Sequence, residues 1–524
     1  MINSSLAEYA FIRVCIFGLQ AITPLSLGYT AYYTLRWMKR RSDWPVFPIA
    51  LTAWCAAETL FYFAVQLPLQ YQIQKEAIHP PLLSRAKRSQ LFERVIRDVG
   101  PADLERHIRW WFRGAALSSI GREGVKDWLA WAFFEGRIDK DGAENELEEY
   151  TSYFEHILDT NFAPGYGTAV PIRLTLDKVD SSTRSLAWYS CVGFVDFLVY
   201  NRLCWNGFQH YRQPLRRFFG LFPLRPIALT GKQISPVKHL SYWYRPHTAK
   251  NSLPVLFIHG IGIGLYPYVD FLRDLLQHVD DGQDSHQDQG QIGILALEIM
   301  PVSFRLTHSA LSKQEMCNEI KKVLQYHGWD RCVLVGHSYG TIIATHMLHT
   351  EDLQPKIAAV LLIDPVCFLL HHPDVAYNFT VRKPTHANEW QLWYFASQDP
   401  GVAHTLARRF FWSENVLWLD DLSPLMRKYG MRVTVSLAGR DLIVKTDAVG
   451  RYLAAAKPRK DGKWDDDWKE KAWAGKGLEM IWNEDTDHAQ VFDSAKKRER
   501  LVQVVRTYCE LEHRPVSQPY EGKI

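Results

Sequence analysis

None of the eight cysteines is spaced C-x-x-C with another. They stand apart at Cys15, Cys55, Cys191, Cys204, Cys317, Cys332, Cys367 and Cys509. No metal or thiol-redox spacing is encoded, and mostly buried free thiols are the expectation. An excess of one charge is also missing. The formal net charge is +4 over 524 residues, and with no zinc-finger or RNA-binding pattern this excludes nucleic acid as a partner. No G-x-G-x-x-G turn is followed by an acidic ribose-binding residue, which removes the dinucleotide-binding class. Disorder is excluded as well, because 47% hydrophobic residues fill a core, and the length suggests two or three domains.

Charge itself is absent from Val14 to Leu35. A helix of about 22 residues spans roughly 33 Å, enough to cross a bilayer core. A signal peptide would be shorter and end at small residues, whereas this run meets Arg36, Trp37, Lys39, Arg40 and Arg41, so a retained anchor is expected. A second apolar stretch, Trp44 to Tyr71, holds one charge, Glu58. We expect that carboxyl at a helix–helix contact or in a shallow interfacial segment, a functional intramembrane acid being the alternative. The basic cluster puts the loop between the stretches in the cytosol. Two full spans and a re-entrant second segment place the rest of the chain on opposite sides, and both stay open. A membrane location, in the endomembrane system, follows.

Residues 1–75 thus form an anchor and 76–226 a charged helical connector. Within the connector, Leu186 to Tyr200 is short for a span and reads as a buried or interfacial helix. From Tyr211 to Pro226, Arg212, Arg216, Arg217 and Arg225 alternate with Phe218, Phe219, Leu221 and Phe222, a mixture suited to an anionic membrane surface. Aromatics are abundant, with 19 Trp, 24 Tyr and 26 Phe, which favours membrane interfaces and large apolar pockets.

From about Ile227 to the end, strands alternate with helices, the mark of an α/β domain with a mostly parallel sheet. Val255–Ile258, Ile292–Ile299, Ile357–Ile363, Val433–Leu437 and Leu478–Trp482 read as strands. Gly264 to Val279 carries a helix pattern, Gly282 to Gln291 reads as a surface loop, and Ser312 with Glu315 opens a helix as a capping box. Between Ile363 and Val433 lies an excursion of roughly 65 residues, far longer than ordinary connections. It carries Trp390, Trp393, Tyr394, Phe395, Phe410, Phe411, Trp412 and Trp418. We expect residues 366–430 to form a helical lid that walls an apolar pocket.

The densest signal is Arg331 to Thr341. An apolar run, Val333 to Val335, breaks at Gly336-His337-Ser338-Tyr339-Gly340 and continues as a small-residue helix. In a G-x-S-x-G turn between strand and helix the serine hydroxyl stands exposed above the sheet. Acyl transfer at serine needs a base, an acid that orients it, and oxyanion donors. His488, just after Leu478–Trp482, stands where the base belongs. Asp441, reached from Val433–Leu437 through Ala438-Gly439-Arg440, is the favoured acid, and Asp364 at the end of Ile357–Ile363 is its competitor. The oxyanion donors are the backbone N–H groups of Tyr339 and of Ile261, in the loop His259-Gly260-Ile261-Gly262-Ile263-Gly264.

With these residues in place, Ile227 to about Cys509 resembles an α/β-hydrolase of the serine esterase and lipase type. The likeness rests on His259-Gly260, the elbow at Ser338, Ala438-Gly439-Arg440-Asp441 and His488, in the order serine, acid, histidine. It implies an eight-stranded, mostly parallel sheet, hydrolysis through an acyl-enzyme, and neither cofactor nor metal. More loosely, the whole chain is similar to membrane-anchored hydrolases of eukaryotes. A lipid-like or other apolar ester is the expected substrate and membrane lipids the expected partners. Two alternatives accompany this reading. His488 and Asp493 show the H-x-x-x-x-D spacing of family members linked to acyl transfer, and a hydrolase fold can persist as a lipid-binding scaffold without turnover. Lys457 to Lys476 lengthens the interval between Asp441 and His488. Asn378-Phe-Thr380 is a glycosylation sequon inside the lid, usable only in a lumen.

Overall fold

The computed structural model describes residues 3, 5–39, 49–137, 143–276, 290–456 and 464–510. Eight strands are present among them: β1 (Gln209–Tyr211), β2 (Ser241–Arg245), β3 (Val255–Ile258), β4 (Ile294–Glu298), β5 (Cys332–His337), β6 (Ile357–Ile363), β7 (Arg432–Ala438) and β8 (Leu478–Asn483). They make one sheet in the order β1-β2-β4-β3-β5-β6-β7-β8. β2 is antiparallel to β1 and β4, and the remaining pairs are parallel. β3, β5 and β6 are buried along their whole length, which is why they read as unbroken apolar runs. Alternate side chains serve opposite faces. Leu256, Ile258, Leu334, Val360 and Leu362 enter one core, and Val255, Phe257, Val335, Leu361 and Ile363 the other.

At the N-terminus, α1 (Leu6–Met38) and α2 (Ile49–Gln72) are long and apolar enough to cross a membrane. α1 starts before the charge-free run because Ser5 and Glu8 form a capping box. Phe11, Val14, Phe17, Leu25, Leu60 and Phe63 are exposed. Polar contacts tie the two helices: Tyr29 Oη lies 2.8 Å from Thr52 Oγ1, and Thr59 Oγ1 lies 3.0 Å from Thr30 Oγ1. Glu58 is fully buried at this contact. Its carboxylate accepts from Thr23 Oγ1 and from the Leu186 N–H, both at 2.7 Å. The lone acid of the second stretch thus joins both helices to the first turn of a third. Arg40 and Arg41 of the basic cluster lie outside the described residues, as do 282–289 of the predicted surface loop and 457–463 of the insertion before His488.

The helices of the stretch expected as a connector pack against one face of the sheet. Helices α3 (Arg85–Val99), α4 (Leu104–Trp111), α5 (Arg122–Phe134) and α6 (Ala143–Ile157) send Phe92, Ile108, Trp111, Trp128 and Phe154 into the same core as one face of the sheet. Helices with a wide apolar stripe must bury it against a neighbouring layer. The next helix, α7 (Leu186–Trp205), buries Trp188, Tyr189, Val192, Val199 and Leu203, while Phe194, Phe197 and Trp205 are exposed. Its Asp196 pairs with Arg225 and Arg305, and Arg225 also grips Glu298 at 2.9 Å. Arg225, one of four arginines expected to meet a membrane surface, therefore points into the protein; Arg216 and Phe219 stay exposed.

The second sheet face is covered by α8 (Val269–Leu276), through Phe271 and Leu272. The first face carries α9 (Lys313–Tyr326), which begins with the expected Ser312–Glu315 capping box, and α10 (Tyr339–Leu348). The excursion between β6 and β7 contains α11 (Ala387–Gln391), α12 (Pro400–Arg409) and α13 (Leu419–Tyr429). α14 (Ala495–Cys509) closes the second face, placing Leu501 and Val504 on the strands.

Candidate active site

Ser338 sits between β5 and α10 with φ 51° and ψ −120°. An L-residue held in this region is strained, and its N–H is fixed by the Ile363 carbonyl at 3.0 Å. Two glycines make the turn possible by close approach. A Cβ on Gly340 would stand 2.2 Å from the Ile258 carbonyl oxygen, and one on Gly260 would stand 2.7 Å from Ser338 Cβ. Helix α10 and the loop after β3 are thereby pressed against the serine.

The loops after β7 and β8 bring the other expected residues together. His488 Nε2 is 2.8 Å from Ser338 Oγ, and His488 Nδ1 is 2.7 Å from Asp441 Oδ2. The other Asp441 oxygen accepts from the Ile443 and Val444 N–H groups, both at 2.8 Å, so the carboxylate cannot swing away from the ring. Asp364 behaves differently. It is fully buried with φ 42°, and its Oδ2 accepts the Ala489 N–H at 2.8 Å. Asp441, not Asp364, meets the imidazole, while Asp364 pins the chain beside it. Asp493 is exposed beyond the turn Gln490–Phe492.

Burial pushes the His488 imidazole down, but Asp441, with its charge and its hydrogen bond, then Asp364 and Asp487, outweigh it and carry the pKa up to about 9. Asp487, which the sequence did not suggest, binds the two loops to each other. Its Oδ1 accepts from the Leu442 and His488 N–H groups at 3.0 and 2.7 Å, and its Oδ2 from Asn388 Nδ2 at 2.7 Å. A second unforeseen group lies behind the elbow. The Gly260 N–H donates to Tyr268 Oη at 3.2 Å, which leaves the Tyr268 hydroxyl proton for His337 Nδ1 at 2.8 Å. Burial holds His337 below the usual histidine range. No motif could have signalled Asp487 or Tyr268, because the contacts that tie separate segments together, from Asp487 to Leu442 and Asn388 and from Tyr268 to His337, reach across distant parts of the chain.

The loop after β3 is held by its own polar groups. His259 Nε2 accepts the Ile299 N–H at 2.9 Å, which places its proton on Nδ1, 2.7 Å from the Gly260 carbonyl it bonds. The N–H groups of Gly260 and Gly262 donate to Tyr268 Oη and to the Val302 carbonyl. Between them, the Ile261 N–H meets no acceptor among the described residues. Tyr339 is the first residue of α10, where an N–H has no partner within its helix.

Ile261, Ser338 and Tyr339 line one cavity of about 610 Å³, part of it open to solvent. Its other walls are almost wholly apolar: Trp111 and Trp131 from α4 and α5, and Phe379, Leu406, Phe410 and Trp412 from the excursion. Of the eight aromatics expected to form this wall, Phe410 and Trp412 do so. Trp390, Trp393 and Tyr394 instead pack beside Ile12 and Ile16 of α1, where the Arg13 guanidinium sits 3.7 Å above the Trp390 ring. Phe395 faces Trp188 and Trp418 stacks on His371. Asn378 of the sequon is half-buried and donates to the Ile443 carbonyl at 3.0 Å, so its amide is already committed next to the site.

Residues 254–487 match the family profile described as the alpha/beta hydrolase fold. Together with the sheet order, this defines the C-terminal part of the chain as an alpha/beta hydrolase fold. No curated protein matches the sequence. Similar solved structures include a bacterial membrane phospholipase A (12% identity, 62% of this chain and 92% of that one, TM-score 0.36). A carboxylesterase structure from the thaumarchaeon Nitrososphaera gargenis is also similar (16% identity, 51% and 95%, TM-score 0.33). So is an N-acyl homoserine lactonase (16% identity, 53% and 97%, TM-score 0.34). Likeness at this level says nothing of what this chain acts on.

Proposed function

We propose that the protein is a membrane-anchored serine hydrolase that cleaves a lipid-like or other apolar carboxylic ester through an acyl-enzyme on Ser338. The observation that carries this reading is the hydrogen-bonded line from Ser338 through His488 to Asp441 at the foot of an apolar cavity. His488 Nε2 takes the hydroxyl proton as Oγ attacks the ester carbonyl, and Asp441 holds the imidazolium that forms. The Ile261 and Tyr339 N–H groups receive the oxyanion. The imidazolium returns its proton to the leaving alcohol. Water, deprotonated by the same nitrogen, then frees the acid.

The apolar walls suit an acyl chain, and residues 366–430 act as the lid that supplies half of them. α1 and α2 serve as the anchor, and Ile12 and Ile16 set α1 directly against α11 of that lid. An alkyl fluorophosphonate should label the full-length wild type and leave Ser338→Ala unlabelled. Equal labelling of the two would overturn the assignment.

A further inference from the structure

A second cluster of histidines and a carboxylate lies away from Ser338. Asp98, in the last turn of α3, faces His371 and His372, which follow β6 at the start of the excursion. Asp98 Oδ2 is 2.7 Å from His371 Nε2 and 3.3 Å from His372 Nε2, and the three ligand atoms all lie within 4.8 Å of one another. Around a tetrahedral zinc with bonds of about 2.0–2.1 Å, ligand atoms stand roughly 3.3 Å apart. The Asp98–His372 contact already has this spacing, and the Asp98–His371 contact is about 0.6 Å short of it.

A separate observation points to a ligand at the same place. His107 of α4 is about nine-tenths buried, its ring 5.2 Å from that of His372, and neither of its nitrogens has a hydrogen-bond partner. A neutral imidazole carries one N–H donor and one acceptor, and leaving both unmet in an apolar interior is costly. His107 and His371 are the polar residues lining one cavity whose other walls include Trp111, Trp128 and Trp412. The buried Nδ1 of His371 is likewise without a partner. The His371 ring is held by stacking on Trp418 at 4.7 Å, and its carbonyl accepts the Trp111 indole N–H at 3.1 Å.

We propose that Asp98, His371 and His372 bind a divalent transition-metal ion of the zinc class, with His107 beside the remaining coordination position. Two imidazoles and one carboxylate suit such an ion and not calcium or magnesium. The metal would join the end of α3 to the first turn of the excursion. That turn carries Leu370 into the wall of the Ser338 cavity, so the ion would hold the wall without entering the reaction. The site stands independently of the function proposed above.

The test uses the full-length, tag-free protein in detergent, stripped with a chelator and titrated with zinc, read by metal analysis, calorimetry and thermal unfolding. We expect one zinc per chain, a raised Tm, and a cobalt-substituted form with the absorption of nitrogen and oxygen ligands without sulfur. His372→Gln, at a side chain 29% exposed and so tolerant of exchange, and Asp98→Asn should each weaken binding at least tenfold, while His488→Ala should bind as the wild type does. Three results would each overturn the site: a stripped wild type that takes up no zinc, His372→Gln binding with unchanged affinity, or loss of binding in His488→Ala. The last would move the ion to the cluster of Asp364, Asp441 and His488. The cobalt spectrum of the wild type decides the ligand type even where Asp98→Asn does not fold.

Discussion

Two clusters of histidine and carboxylate in this protein are near inversions of each other. At Ser338 three carboxylates, Asp441, Asp364 and Asp487, surround His488, with His337 as the second imidazole 5.4 Å away, and the pKa of His488 is carried up to about 9. At the end of α3 one carboxylate, Asp98, stands among three histidines. There, burial first, followed by the neighbouring imidazole, holds His371 down to about 4, the opposing hydrogen bond and charge of Asp98 notwithstanding. The same side-chain types give opposite results because charge balance differs. Surplus negative charge makes an imidazole that holds its proton and can carry it. Burial and the neighbouring imidazole keep His371 neutral at physiological pH, which is the form that binds a metal.

The comparison breaks most severely at the nucleophile. Ser338→Ala should lower ester hydrolysis by about 10⁵-fold or more if the acyl-enzyme route holds, measured with a chromogenic ester in detergent micelles. Asp441→Asn should cost about 10⁴-fold by leaving the imidazole in the wrong tautomer. The same change removes the main charge that raises His488. The wild-type rate should climb with pH through the range up to about 9 as His488 loses its proton, and the midpoint should move down in Asp441→Asn.

Stability should divide the clusters by sign. His488 is raised above its unfolded value of about 6.5, so its contribution is complete below that pH and is lost as pH rises through about 9. His371 is lowered, so its contribution is complete above about 6.5 and is lost as pH falls through about 4. Thermal unfolding of His488→Ala and His371→Ala against wild type should show the two differences closing at opposite ends of the pH range. The smallest effect is expected at Asn388→Ala. It takes one donor from the buried Asp487 and should cost about 1–3 kcal/mol, read by urea unfolding.

Legibility followed the reach of each interaction. β3 and β6 begin and end where the apolar runs do, and the turn at Ser338 is strand, elbow, helix, because burial on both faces and the close approach of Gly336 to the Gly340 carbonyl act within a few residues of chain. The excursion was legible as an excursion, since its length alone exceeds that of an ordinary connection. What its aromatic residues touch was not: Trp390, Trp393 and Tyr394 meet α1, more than 370 residues away in the chain. The helices between 85 and 157 likewise carried a correct helical pattern with no sign of what their apolar faces would cover.

The sequence by itself determined the elements and the residue types at strand ends: the alternation of strand and helix, the serine elbow, an acid and a histidine at later strand ends, and two long apolar helices at the N-terminus. These depend on periodicity, turn chemistry and composition, which are local. Only the tertiary structure set Asp441, and not Asp364, within hydrogen-bonding distance of the His488 ring, buried Glu58 against Thr23 and the first turn of α7, turned Arg225 inward, and set Asp98 beside His371 and His372. Each of those outcomes depends on which distant backbone arrives within hydrogen-bonding distance, and that is settled by packing the layers, not by any one of them.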